Sequence, residues 1–309
     1  GSHIIVGGYA SVEQLESAGK SLEAILVPFA GLPPRLKTLL DDNHEKFKKL
    51  KVFSTHHNAA FTAEIAVALC LAAAKMLVPA HILLRNNDWS ARGIPAEVGK
   101  VPQPMSMMIL AGKTCLVMGY GEVGRRVAVA MKALGMHVLA TRATGTAVAT
   151  TAEGISVHPA KKLHSLLPRA HVLFICVPST LETDGMISSV ELDLLPKGAV
   201  LVNVGRGAVV DEQALYCALS PGGSLMSAGV DVWYNYPANH SEITSTPPSR
   251  KCDFSQLDNL VMSPHRGGGV GVKEAEDARL DMIAASLVSA GSVGRVDAMP
   301  SRINLEKGY

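Results

Sequence analysis

Apolar residues along this chain gather into short unbroken runs, and the runs alternate with stretches whose apolar positions follow helical spacing. The runs predict strands at Ile4–Val6, Ala24–Val27, Lys51–Ser54, Thr114–Met118, His137–Ala140, Val172–Val177, Ala199–Val204, Ser227–Val230 and Leu260–Met262. A strand that is apolar at both alternate sets of positions needs cover on both faces, which is the situation of a parallel strand inside an α/β sheet. Helices are predicted between them, for example Val12–Ala18, Phe61–Leu77, Glu122–Leu134, Glu212–Leu219 and Ala275–Ala290. This succession is the βαβ alternation of a doubly wound parallel sheet.

The pattern breaks at Gly93–Pro104, where Gly93, Pro95, Gly99, Pro102 and Pro104 interrupt helical and strand periodicity alike. A second break, Gly267–Gly271, precedes the Ala275–Ala290 helix. The chain is therefore expected to form two domains, 101–271 inserted into a domain made of 1–100 and 272–309. It would cross over along Phe61–Leu77 and return along Ala275–Ala290.

Composition narrows the class. The 309 residues are 48% hydrophobic and 18% charged, enough apolar material for two cores. Mean hydropathy is +0.21, yet no run of 18 apolar residues is free of charge. The most apolar stretch, Phe61–Pro79, carries Glu64 and Lys75 and reads as a core helix. A net charge of +2 gives no sign of nucleic-acid or membrane binding, and Lys46, Lys48, Lys49 and Lys51 follow Asp41, Asp42 and Glu45 as a solvated helix face. Cys70, Cys115, Cys176, Cys217 and Cys252 show no disulfide or metal spacing, so no metal site is expected and a cytoplasmic location fits. Gly1-Ser2-His3 reads as a remnant of an expression tag.

The sharpest chemical signal lies at Thr114–Gly124. Gly119, Gly121 and Gly124 stand in G-x-G-x-x-G order after a strand and at the opening of a helix, the context that turns a weak motif into a dinucleotide-binding turn. The first glycine allows the tight turn, the second lets backbone approach a pyrophosphate, and the third lets helix and strand pack. Unpaired N–H groups at the helix start then face the phosphates. Tyr120, Glu122 and Val123 complete the turn. At the end of the next strand an acid would select NAD; here Leu139-Ala-Thr-Arg-Ala-Thr144 has none, and Arg142 comes eighteen positions after Gly124. With the hydroxyl of Thr141 beside it, Arg142 favours NADP(H) over NAD(H).

Three more segments complete the picture: Val177-Pro-Ser-Thr-Leu-Glu-Thr183, Asn203-Val-Gly-Arg-Gly207 and Ser263-Pro-His-Arg-Gly-Gly268. With the glycine turn, in this order and spacing, they closely resemble the D-isomer-specific 2-hydroxyacid dehydrogenases, most strongly from about Ala60 to Gly268. The resemblance implies an α/β enzyme with a Rossmann-type cofactor domain inserted into a smaller flavodoxin-like substrate domain. It implies that Arg206 binds the substrate carboxylate and carbonyl, and a planar guanidinium suits that task. It makes His265 the acid/base, as an imidazole titrating near neutrality allows. It places Asp231 near the nicotinamide carboxamide, Val177, Pro178 and Thr183 along the nicotinamide ribose, and Val204, Gly205, Gly267 and Gly268 around the cofactor. Ala30 and Gly31 resemble the substrate-carboxylate loop of the other domain. The implied partners are a small 2-keto acid such as glyoxylate, hydroxypyruvate or pyruvate, and a second copy in a homodimer.

Two departures stand out. Where the family carries a glutamate that pairs with the histidine, this chain reads Asp231-Val-Trp-Tyr-Asn-Tyr-Pro237, with Tyr236 in the acid's place. A phenol can orient an imidazole but cannot stabilise its cation as a carboxylate does. Tyr236 can replace the glutamate geometrically, Glu242 can fold back as a substitute, or the chemistry can need no proton relay, as in formate- or phosphite-like hydride donors or a dinucleotide-sensing interaction protein. The second departure is that only three strands are predicted before the crossover helix. The smaller domain is then either N-terminally truncated or naturally small, and Ile4–Val6 is expected to be an edge strand needing cover. Trp89 and Trp233 read as packing residues.

Overall fold

The computed structural model describes residues 3–19, 21–92 and 107–305. Two compact units emerge, one of Gly1–Phe61 with Gly268–Tyr309 and one of Thr62–Gly267. The division falls earlier than the expected 100/101 and 271/272, and the expected junction at Gly93–Pro104 lies outside the described residues.

In the smaller unit, β1 (Ile4–Val6), β2 (Ala24–Val27) and β3 (Lys51–Ser54) form a parallel sheet in the order β1-β2-β3. Helices α1 (Val12–Ser17), α2 (Pro34–Asp42) and α3 (His44–Phe47) lie between the strands in sequence. All four residues of β2 are buried, and their alternation explains why. Ile25 and Val27 join Leu15, Leu36 and Leu40 in one core, while Ala24 and Leu26 join Phe53, Ala290 and Met299 in another. The outer edge of β3 is covered by the C-terminal segment, where Ile303 N–H donates to Val52 O and Ser54 N–H to Ser301 O. Among the described residues β1 is the other edge of this sheet.

The larger unit begins within α4 (Ala59–Ala74) and continues through α5 (Leu77–Arg85). Its sheet contains β4 (Thr114–Met118), β5 (His137–Arg142), β6 (Ala149–Thr150), β7 (Ser156–Pro159), β8 (Val172–Ile175), β9 (Ala199–Asn203), β10 (Leu225–Val230) and β11 (Leu260–Met262). The order is β11-β10-β9-β8-β4-β5-β7-β6, parallel except for β6. Helices α6 (Glu122–Ala133), α7 (Leu163–Leu166), α8 (Ser189–Asp193) and α9 (Glu212–Leu219) connect the strands, and α10 (Lys273–Val293) returns to the smaller unit.

Alternation again sorts the core into two layers. Cys115, Val117, Val172, Phe174, Val200 and Val202 pack with α4 and α6, whereas Leu116, Met118, Leu173, Ile175 and Leu201 pack with α7, α8 and α9. Helix α4 belongs to this core through Ala63, Ala66, Leu69, Cys70 and Ala73, which is why the unit starts before the expected boundary. Gly229 of β10 makes the approach close, since a Cβ there would lie 2.7 Å from Leu69 Cβ. Among the described residues no single helix is long and apolar enough to cross a membrane; α4 and α5 reach that length only together, bent by 65°.

From β4 the chain adds strands on one side through β5 and β7, then returns to add β8 on the other. The crevice at the C-terminal ends of β4 and β8 is thus the topological switch point, where ligands of open α/β sheets bind.

Candidate active site

The glycine turn occupies that crevice. Gly119 follows β4 with φ +99, a left-handed value that favours glycine. A Cβ on it would meet Val177 Cγ1 at 2.8 Å and Cys176 O at 2.9 Å, so the turn lies against the strand across the switch point. Gly119 N–H and Tyr120 N–H both donate to Thr141 O, at 3.1 and 2.8 Å, which ties the turn to the end of β5. A Cβ on Gly124 would lie 1.9 Å from Gly119 O, so only glycine lets α6 pack here. Gly121 is the opposite case: nothing lies within 4 Å of a Cβ at that position. The turn therefore fits a dinucleotide: two glycines are required by the protein's own packing, and the third faces open space at the start of α6.

The flanking residues sharpen this. Val123 packs inward. Glu122 accepts from Arg125 and Arg126, whose hydrogen bonds bring its carboxyl down to about 2. The acid at the helix start stays ionised, but the two guanidinium groups offset its charge, and the positive end of the helix dipole stays available to an anion. Thr141 is buried and serves the turn through its carbonyl, whereas Arg142 and Thr144 are exposed.

Val177 and Pro178 continue from β8 into a loop closed by Thr183, whose hydroxyl donates to Pro178 O at 2.7 Å and accepts from Thr180 N–H at 2.8 Å. Gly205 packs on the same strand end, because a Cβ there would lie 2.5 Å from Val177 O. The turn after β9 depends on Asn203, which sequence reasoning passed over. Its buried amide accepts from Gly205 N–H and donates to Arg206 O, both at 3.0 Å. Only its place at the head of Asn-Val-Gly-Arg-Gly could have marked it. Val204 is buried, and Arg206 projects outward, donating to Gly205 O at 2.7 Å.

Asp231 and His265 follow β10 and β11. Asp231 is 1% exposed. Its Oδ1 accepts from Ser263 Oγ at 2.5 Å and Arg266 N–H at 2.8 Å, and its Oδ2 from Gly267 N–H at 2.8 Å. His265 stands inside that bracket with φ +58, a left-handed value that histidine adopts more readily than most residues. The Tyr236 ring lies 5.6 Å from the imidazole, centroid to centroid, tilted by 52°. Its hydroxyl accepts from Trp233 N–H at 2.9 Å. Tyr236 thus stands beside His265 as a ring, with its oxygen engaged by backbone. Glu242 does not substitute: it accepts from Ala238 N–H and from Asn239 within its own turn.

These neighbours set the charge state. His265 titrates below its ordinary value, chiefly through burial and then through the Arg206 charge, with Asp231 opposing. Burial raises the Tyr236 phenol, although the Trp233 N–H and Arg206 oppose it. At pH 7 the imidazole and phenol are both neutral beside a guanidinium. Burial also pushes the Cys176 thiol, under the glycine turn, up to about 12, which removes it as a nucleophile. Trp233 packs as expected and also donates Nε1–H to Ser263 O at 2.8 Å. Trp89 does not pack; it is 67% exposed.

Gly119, Val177, Arg206, Asp231 and His265 each follow a strand of one parallel sheet, so they collect along its C-terminal edge. Gly267 belongs to this unit, and a Cβ on it would lie 2.8 Å from Asp231 Oδ2. Gly268 belongs to the smaller unit, near Asn58. Ala30 and Gly31 lie in the smaller unit too, in the loop after β2, with Gly31 at φ +87.

Known proteins with this pattern point one way. Residues 67–267 match the model of the D-isomer specific 2-hydroxyacid dehydrogenase NAD binding domain. The chain is 31% identical over 245 residues to a glyoxylate reductase of Pyrococcus furiosus and 33% identical over 245 residues to one of Aeropyrum pernix, in each case covering 79% of this chain. It spans 66% of the length of each of those two relatives. Its fold is similar to that of an NADPH-dependent glyoxylate/hydroxypyruvate reductase from Sinorhizobium meliloti, solved with NADP and sulfate. The TM-score is 0.76 at 19% identity, over all of this chain and 87% of that one. By its matched residues and its strand-end constellation, the chain belongs to the D-isomer specific 2-hydroxyacid dehydrogenase family.

Proposed function

We propose that this protein is an oxidoreductase that moves hydride between NADP(H) and the carbonyl of a small 2-keto acid. The observation that carries the reading is the gathering of Arg206, Tyr236 and His265 on the sheet edge that also carries the glycine turn. Gly119–Gly124 would hold the pyrophosphate, Val177, Pro178 and Thr183 the nicotinamide ribose, and exposed Arg142 the extra phosphate of NADP. The bound nicotinamide supplies or accepts the hydride. Arg206 grips the substrate carboxylate and polarises its carbonyl. His265 gives a proton to the carbonyl oxygen in reduction and takes one from the hydroxyl in oxidation. Because its pKa is lowered, the imidazole at pH 7 is the base form, which suits oxidation. Reduction needs the imidazolium, so its rate falls as pH rises through that lowered pKa.

The decisive experiment is NADPH oxidation against glyoxylate, hydroxypyruvate and pyruvate, with NADH in parallel. Turnover with NADPH preferred is the expected result. Tight NADPH binding without turnover on any keto acid would turn the assignment to a dinucleotide sensor. The Tyr236 oxygen engaged by Trp233 favours one rival, a formate- or phosphite-like hydride donor that needs no proton relay, so both belong in the panel.

The homodimer has a candidate face. Helix α5 has no buried residue, and Leu77, Ile82 and Leu84 are exposed on it, with Trp89, Met107 and Ile109 exposed beyond. Leu77 and Leu84, seven positions apart, share one face of the helix, and exposed apolar side chains there suit an interface. Light scattering should give twice the chain mass, and Leu77→Glu with Leu84→Glu should give the monomer. Five unpaired cysteines, three of them buried, support a reducing, cytoplasmic setting.

A further inference from the structure

Arg206 opens a short turn of backbone, Gly207–Val209, and that turn is held from two sides. On one side Gly185 N–H donates to Ala208 O at 2.7 Å and Ile187 N–H to Val209 O at 3.0 Å. On the other stands the segment after β10. Gly207 lies so close to Trp233 that a Cβ would be 2.4 Å from Trp233 O. The next residue, Tyr234, donates its hydroxyl to Val210 O at 3.0 Å. Trp233 and Tyr234 therefore grip the chain at the residue directly after Arg206 and again where the turn ends.

The grip is itself anchored. The Tyr234 ring stacks on Phe254, with centroids 6.0 Å apart and planes 13° apart, and Phe254 is buried. Tyr234 N–H and Asn235 N–H both donate to Pro248 O, at 3.2 and 3.0 Å. Burial raises the Tyr234 phenol, and the Glu212 and Asp211 carboxylates act in the same direction. The hydroxyl therefore keeps its proton and stays a donor.

Arg206 needs a fixed base. Its guanidinium stands at the end of a flexible stem, and a positioning group displaced by about 1 Å can cost about a hundredfold in rate. Asn203 fixes the backbone before the arginine, through Gly205 N–H and Arg206 O. The backbone after it is fixed at Gly207 and Val210.

We propose that Tyr234 is a positioning residue of Arg206: its hydroxyl closes the turn that aims the guanidinium at the substrate. This rests on Arg206 being the group that grips the substrate carboxylate.

Tyr234→Phe tests it, because the ring stays on Phe254 and only the bond to Val210 O is lost. NMR of the arginine side-chain N–H groups, assigned with Arg206→Lys, should show an ordered Arg206 in the wild type, where it donates to Gly205 O, and a motionally averaged one in Tyr234→Phe. The KM for the keto acid should rise about five- to tenfold, the worth of one hydrogen bond, while kcat falls less and NADPH affinity holds. In an Arg206→Lys background the same change should alter kcat/KM by less than about twofold, because residues that act through one contact are not additive. A full loss in that background, or NADPH affinity falling in step with KM, would show a general loosening and overturn the proposal. So would an Arg206 signal that stays ordered in Tyr234→Phe. If Tyr234→Phe does not fold, Phe254→Leu loosens the stack and keeps the hydroxyl; an Arg206 signal as ordered as in the wild type then overturns the proposal. The NMR reading needs no turnover, so failure of the keto-acid assignment is distinguishable from failure of this one.

Discussion

The glycine turn after β4 and the histidine loop after β11 end strands of one sheet, yet they are built in different ways. In the turn, the constraints are local or come from the adjoining strand: Gly124 abuts Gly119 O five residues away, and Gly119 abuts Cys176 and Val177. In the loop, the constraints come from far along the chain, with Asp231 bonding residues 32 to 36 positions later. A site fixed by backbone sterics leaves a short motif. A site fixed by side-chain bonds across the sheet leaves scattered polar residues that acquire meaning only when the strands are aligned.

The largest expected effect separates chemistry from binding. His265→Ala should lower turnover by about a hundred- to ten-thousand-fold, the usual worth of general acid/base catalysis, while NADPH affinity measured by fluorescence stays unchanged. An equal loss of affinity would mean that the loop holds the cofactor as much as the substrate.

Next comes Gly124→Val. The new side chain has Gly119 O and Val117 in its way, so the protein should lose about 1–3 kcal/mol by thermal or denaturant unfolding and also lose dinucleotide binding. Gly121→Ala makes the sharper comparison. With nothing near its Cβ, unfolding should shift by less than about 0.5 kcal/mol, while NADPH binding weakens by about tenfold, or ~1.4 kcal/mol. Equal stability losses in the two variants would remove the distinction between a packing glycine and a ligand glycine.

The smallest effect probes the loop. Tyr236→Glu places an anion by the imidazole, which favours the charged form and raises the His265 pKa. A rise of about half to one unit is expected, up to ~1.4 kcal/mol. The pH limb of reduction should move to higher pH and neutral-pH oxidation should slow. An unmoved limb would mean that position 236 does not face the working imidazole.

Much of the fold was legible because buried parallel strands write themselves as unbroken apolar runs. All nine predicted strands appear, with ends shifted by a few residues at β5, β8, β9 and β10. The short edge strand β6 and its neighbour β7 were not legible: Ala149–Thr150 is exposed and Ser156–Pro159 mostly half-exposed, so neither carries the apolar signal. The units divide earlier than the Gly- and Pro-rich stretch suggests, because the division follows which core α4 fills. Trp89 was read as packing from residue type alone, and exposure depends on neighbours that no local pattern names.

By itself the sequence determined the alternating α/β order and the dinucleotide turn, because periodicity and glycine sterics act over a few residues, and it marked Arg206 and His265 as candidates through the motifs they share with the family. It also exposed the missing acid at position 236. Only the tertiary structure decided what surrounds that position. Whether Tyr236 bonds the imidazole or the Trp233 N–H, and whether Asp231 faces the cofactor or the histidine loop, depends on how β10 and β11 lie side by side. That register is a long-range property, written in hydrogen bonds between residues that are distant along the chain.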